Sequence, residues 1–142
     1  MTTDKPFNLH DQLAADCHVL GRFDLCQVLL HRNALVTWFI LVPETEVTEL
    51  FDLSLEQQQA AAREVSIIAA FLKAECGATK LNYGCIGNMV SQLHLHVVSR
   101  KQDDPCWPAP VWGNLDETKE YTEDELSRLR ESLQTNYGLI SL

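Results

Sequence analysis

The chain has no apolar run near the ~20 residues a membrane-spanning helix needs, no C-x-x-C pair, and only 11 basic side chains against 20 acidic ones. The first absence argues against a membrane-embedded protein. The second, with an odd count of five scattered cysteines (Cys17, Cys26, Cys76, Cys85 and Cys106), argues against a disulfide framework and a zinc ribbon. The third gives a formal charge of −9 and opposes a broad basic face for nucleic acid. A small anionic ligand stays compatible with that charge if basic groups are local, and Lys80, Arg100 and Lys101 are candidates. The opening "MTTDKPFNLHDQ" carries neither the basic start nor the apolar segment of a secretory signal, so the expected compartment is the cytoplasm. Repeats, low-complexity tracts and long linkers are missing too. At 142 residues, 46% of them apolar, the chain reads as a single domain, 1–142, with a core of its own.

What is present is alternation and capping. Leu9, Leu13, Cys17 and Leu20 recur at helical spacing after Asn8, a natural N-cap, with Gly21 as the stop. Residues 23–30, "FDLCQVLL", and 35–42, "LVTWFILV", read as two antiparallel strands joined by "HRNA". Ser54 and Gln57 make a capping-box pattern, and Ala61, Val65, Ile68 and Leu72 give the long helix that follows its apolar stripe. A third strand over 79–83, a glycine-bearing turn "GCIGN" and a fourth strand over about 89–99 come next. A Pro- and Trp-rich segment opens a C-terminal extension, about 103–142, which ends in a helix capped by Thr122 and Glu125 and striped by Leu126, Leu129 and Leu133. The order predicts an α+β domain: one antiparallel sheet with the long helix packed on it, plus N- and C-terminal helices.

The chemistry is concentrated in "NMVSQLHLHVV". On a strand, Gln92, His94 and His96 project to one face about 7 Å apart, while Leu93, Leu95 and Val97 face the core. Three readings fit that pattern. It can be the solvated face of an ordinary strand. Two histidines on one face can share a zinc ion, but no carboxylate or cysteine stands at a companion spacing. Or a neutral imidazole serves as a nucleophile, with its neighbours donating to a phosphate oxygen.

The same stretch resembles the signature strand of the histidine triad (HIT) family, His-φ-His-φ-His-φ-φ with φ apolar. The resemblance runs over most of residues 20–101, including the "LVPETEVTELFDLS" step into the long helix and the "KLNYGCIGN" approach to the motif. It implies a HIT-like fold and a nucleotide phosphohydrolase or nucleotidyl transferase. His94 would attack an α-phosphate to form a nucleotidyl-histidine intermediate, on a phosphoanhydride, a phosphoramidate or a dinucleoside polyphosphate. The main-chain carbonyl of Gln92 would accept the Nδ1 proton of His94, and His96 would stabilise charge on the phosphoryl group. Asn82, Gly87 and Asn88 would hold phosphate or sugar, and His31 to Asn33 would lie near the sugar. Trp107, with Trp112, could close the nucleotide site, the plainer alternative being that both are packing anchors. The scheme requires no metal and no cofactor, and the family expectation is a homodimer.

This chain departs from the signature in three places. Gln92 replaces the first histidine, and an amide can donate a hydrogen bond but cannot shuttle a proton. Met89 stands where a hydroxyl donor is usual. "NALVTW" replaces the usual Pro-Gly-His approach to the second strand. The first two leave room for a rival function, a nucleotide-binding protein with little or no turnover.

Overall fold

The computed structural model describes residues 6–142. The elements run α1 (Asp11–Asp16), β1 (Cys17–Arg22), β2 (Cys26–His31), β3 (Trp38–Pro43), α2 (Leu55–Glu75), β4 (Lys80–Gly84), β5 (Leu95–Arg100) and α3 (Glu123–Asn136), with one 3-10 turn at Leu50–Asp52. The five strands form one sheet in the order β1-β2-β3-β5-β4, every neighbouring pair antiparallel. The α+β architecture expected from the sequence is the one observed.

The two long-helix signals act as read. Ser54 accepts from the Gln57 amide while the Gln57 side chain accepts from the Ser54 amide, and Thr122 and Glu125 repeat that reciprocal pair at α3. Each box satisfies two amides that have no partner inside the helix. Ala61, Ile68 and Leu72 of α2 and Leu126 and Leu133 of α3 are buried together with Val28, Leu30, Phe39, Leu41 and Val97 on one face of the sheet. The long helix therefore clamps β3 and β5 from behind.

The first helix is shorter than expected. Its N-cap lies two residues later than expected, at His10, whose Nδ1 accepts from the Gln12 amide, and it ends at Asp16. Cys17 and Leu20, read as helical, belong to β1, which pairs with β2 through a register shift between Val19 and Gly21. The extra residue at that shift explains the misreading. A bulge breaks strict alternation, so buried positions at 13, 17 and 20 mimic a helical stripe. Likewise β2 and β3 begin three residues later than their expected starts; for β3 the reason is that residues 32–37 form a loop longer than the four-residue turn expected from "HRNA".

The second face of the sheet carries Leu29, Trp38, Ile40, Val42 and Val98, covered by Leu13 and Cys17 and by Val111 of the C-terminal segment. That segment is fastened at two points. Asn33, 8% exposed, donates to the Glu117 carbonyl (3.0 Å) and accepts from the Lys119 amide (3.2 Å). Arg100, 1% exposed, makes a two-point pair with Asp104 at 2.7 and 3.0 Å. No helix among the described residues is long and apolar enough to cross a membrane.

Candidate functional site

β5 starts at Leu95, so the expected strand over 89–99 is only half a strand; residues 85–94 form an irregular loop leading into it. The parity survives. Leu95 and Val97 pack under α2, and His96 lies on the opposite face, flanked in the sheet by Ile40 of β3 and Gly84 of β4. His94, one residue before the strand, brings its ring to 4.9 Å from that of His96, centroid to centroid, at 67°. Both histidines are 7% exposed.

The hydrogen bonds of this pair fix their proton positions. A main-chain carbonyl can only accept, so the 2.6 Å contact between His94 Nδ1 and the Gln92 oxygen puts a proton on Nδ1, and in the neutral ring Nε2 then keeps its lone pair. An indole N–H can only donate, so the 2.9 Å bond from Trp38 Nε1 to His96 Nδ1 puts the His96 proton on Nε2. The adjacent imidazoles thus hold opposite tautomers, one outward atom a lone pair and the other an N–H. Neither Nε2 has a protein partner among the described residues, and neither is among the fully enclosed unpartnered atoms. Burial, with the neighbouring His94 and His31, pushes the His96 pKa down to about 4.

An aromatic cage holds His96. Trp112 meets its ring edge-on at 5.3 Å and 88°, and also meets Trp38 at 5.8 Å and 82°. His31 stacks on Trp38 at 4.4 Å and 10°, and burial lowers its own pKa. Gly84 makes room for this packing, since a Cβ there would stand 2.9 Å from the Trp112 ring. His31 was expected near the sugar and not against the histidine pair, and Trp38 was not singled out in the sequence at all. The signal lay in the β2–β3 register, Leu30 opposite Phe39, which continued by one step sets His31 across from Trp38. A four-residue hairpin turn hides that pairing.

The other expected site residues divide. Gly87, at φ +71°, turns the loop so that it lines a cavity of about 80 Å³ with His94, Gln92, Cys85 and Glu49. That volume is under three waters' share of liquid, so it admits a group of phosphate size and not a whole nucleotide. The Gln92 side chain is turned to the N-terminal segment: its oxygen accepts from the His10 amide (2.8 Å) and its nitrogen donates to the Asn8 carbonyl (2.9 Å). The Asn82 side-chain oxygen accepts from the Arg100 guanidinium (2.9 Å). Asn88 is exposed on the loop, beside Met89 at 96%. Trp107 does not join the histidines; it lies over the Arg100 guanidinium at 5.6 Å, four residues and roughly 13 Å along β5 from His96. Trp112, the other tryptophan of that segment, is the one packed against His96.

Two of the three local basic groups expected for an anion are otherwise engaged. Arg100 is consumed by Asp104 and Asn82, and Lys80 donates to the Leu81 carbonyl. His31 and Arg32 do line a cavity of about 420 Å³ with Trp38 and Lys119. Asn33, expected near the sugar as well, has both ends of its amide committed to the backbone. Among the described residues, no three His, Cys, Asp or Glu side chains converge as metal ligands would.

The sequence pattern of the HIT domain matches residues 12–103, the greater part of the chain. The chain belongs to the HIT domain family. Three solved structures of histidine triad proteins agree. The one from Marinobacter aquaeolei VT8 is 43% identical, with 90% of this chain and 93% of that one covered and a TM-score of 0.84. Its counterpart from Sinorhizobium meliloti 1021 is 36% identical over 92% and 97%, at 0.86. That from Bradyrhizobium japonicum is 32% identical over 90% and 96%, at 0.85. No curated protein sequence matches the chain.

Proposed function

We propose that this HIT protein cleaves a phosphoanhydride or phosphoramidate bond at the α-phosphate of a nucleotide, by way of a nucleotidyl-His94 intermediate. The supporting observation is the pair of opposite tautomers. With its Nδ1–H held by the Gln92 carbonyl, His94 presents a lone pair on Nε2 to phosphorus; the new N–P bond forms as the bond to the leaving group breaks. The His96 Nε2–H, 4.9 Å away by ring centroids, is placed to donate to the phosphoryl oxygens as charge develops. Water then attacks phosphorus, the N–P bond breaks, and a nucleoside monophosphate leaves with His94 restored.

A second reading, nucleotide binding with little turnover, is favoured by one observation. The Gln92 amide is tied to Asn8 and His10, so no proton donor of its own stands at the leaving-group position. Incubation with an adenosine phosphoramidate and a dinucleoside polyphosphate, beside His94→Ala, separates the two. Nucleoside monophosphate released by the wild type alone supports the enzyme. Saturable nucleotide binding without release supports the binder.

The protein is further proposed to act as a homodimer in the cytoplasm. Phe51 and Tyr83, 78 and 56% exposed, line an apolar groove of about 590 Å³ beside the unpaired edge of β4. A reducing compartment suits its five free cysteines. A monomeric mass in light scattering withdraws the dimer.

A further inference from the structure

We propose that Trp38 is the positioning residue of His96: its indole N–H locks the imidazole in the Nε2–H form and aims that N–H at the phosphoryl group. This deepens the reaction proposed above and rests on it only for the last step. The lock itself follows from the donor-only indole at 2.9 Å from Nδ1.

The surroundings make the lock rigid. Trp38 is 7% exposed and sandwiched by packing, His31 stacked on its face and Trp112 on its edge. Rotating the His96 ring by half a turn would place carbon against the indole N–H and leave a buried donor unpaired. Protonating Nδ1 would set N–H against N–H, so the bond also holds His96 neutral. The titratable groups facing the ring are His94 and His31, and both oppose a positive charge on it. His96 is thereby restricted to one role, a neutral hydrogen-bond donor, and removed from proton transfer. Trp38 touches no reacting atom in this arrangement and acts through His96 alone.

Long-range ¹H–¹⁵N correlation on ¹⁵N-histidine protein, with His96→Gln to assign the signal, reads the tautomer without reference to activity. Wild-type His96 is expected as pure Nε2–H at pH 7 and neutral still at pH 5. In Trp38→Phe, which keeps an aromatic ring but no donor, its midpoint is expected to rise by about one pH unit, the worth of one hydrogen bond. Affinity for AMP, and the single-turnover rate if the protein turns over, are expected to fall about 10-fold, which one such bond commands. Trp38→Gln, which returns an N–H donor on a side chain of similar reach, is expected to recover most of the loss. Wild-type His96 found as Nδ1–H or as a mixture overturns the inference, as does a Trp38→Phe protein with unchanged midpoint and AMP affinity. Should neither variant fold, the wild-type tautomer decides alone. A wild type with the expected tautomer and AMP binding but no turnover sinks the proposed enzyme and leaves the lock standing.

Discussion

Lowering the pH from 7 to 5 is expected to weaken the fold by about 2 kcal/mol through His96 alone. The ring is 7% exposed, and burial beside His94 and His31 holds its pKa at about 4 against an ordinary 6.5. Between those values the unfolded chain takes up a proton that the folded protein refuses. The stability contributed is therefore complete above about pH 6.5, falls as the pH drops through the window, and levels off below about 4. Over the whole window the loss is about 3 kcal/mol, at 1.36 kcal/mol per pH unit; the share lost by pH 5 is about 2. Urea denaturation followed by tryptophan fluorescence at both pH values, for wild type and His96→Gln at one protein concentration, isolates this share. Glutamine does not titrate and can still accept from Trp38. His31, also lowered by burial, contributes in both proteins and cancels in the difference. Burial pushes the Asp104 carboxyl up, but bonds from Arg100, Lys101 and Cys106 outweigh it and leave it below its ordinary 3.8, outside the window. The gap between wild type and variant is expected to close by about 2 kcal/mol on acidification. A gap that stays constant refutes the burial argument for His96.

Asp104→Ala leaves the Arg100 guanidinium, 1% exposed, without its counter-charge, and is expected to destabilise by about 3–5 kcal/mol in urea denaturation. Glu64, 2% exposed on α2, accepts from the Leu25 and Cys26 amides at 3.1 and 2.8 Å; Glu64→Ala strands both donors and is expected to cost about 2–4 kcal/mol by the same assay. Gly84→Ala drives a methyl into Trp112 and is expected to change the fluorescence of the cage and lower AMP affinity while Tm falls little, which calorimetry and titration check together. Single-turnover rates across a series of leaving groups are expected to fall steeply as leaving-group basicity rises; a flat series contradicts the absence of an acid at position 92.

The fold was legible where one signal had one meaning. Two capping boxes located α2 and α3, and alternation after Leu93 located β5 and sent His96 to the open face. Legibility failed where tertiary pairing overrode local pattern. The bulge in β1 disguised a strand as the end of a helix, and the long loop before Trp38 shifted the hairpin register that joins His31, Trp38 and His96. Within the site, the carbonyl that orients His94 was expected from the resemblance to the HIT family, and the contact is present. The choice of Trp112 over Trp107 was not. Trp107 lies against Arg100, which is paired with Asp104, while Trp112 meets His96; that Arg100–Asp104 pair was not read from the sequence, where Arg100 was taken as a candidate anion-binding group.

Gln92 carries the sharpest consequence for the chemistry. An amide at that position has no proton to give, and here both of its polar ends are occupied, the oxygen by the His10 amide and the nitrogen by the Asn8 carbonyl. Its side chain has thereby become a tie between the N-terminal segment and the motif loop, while its main-chain carbonyl still aims His94. Nor does His96 replace the missing acid, since Trp38 holds its Nδ1 and burial keeps the ring neutral. In the proposed reaction the leaving group must then depart as an anion or take its proton from water. Phosphates, whose anions are stable near neutrality, meet that condition; an amine leaving from a phosphoramidate meets it only if it is protonated before the bond breaks. In the proposed reaction, the two hydrogen bonds that tie down the Gln92 side chain would therefore favour phosphoanhydrides over phosphoramidates.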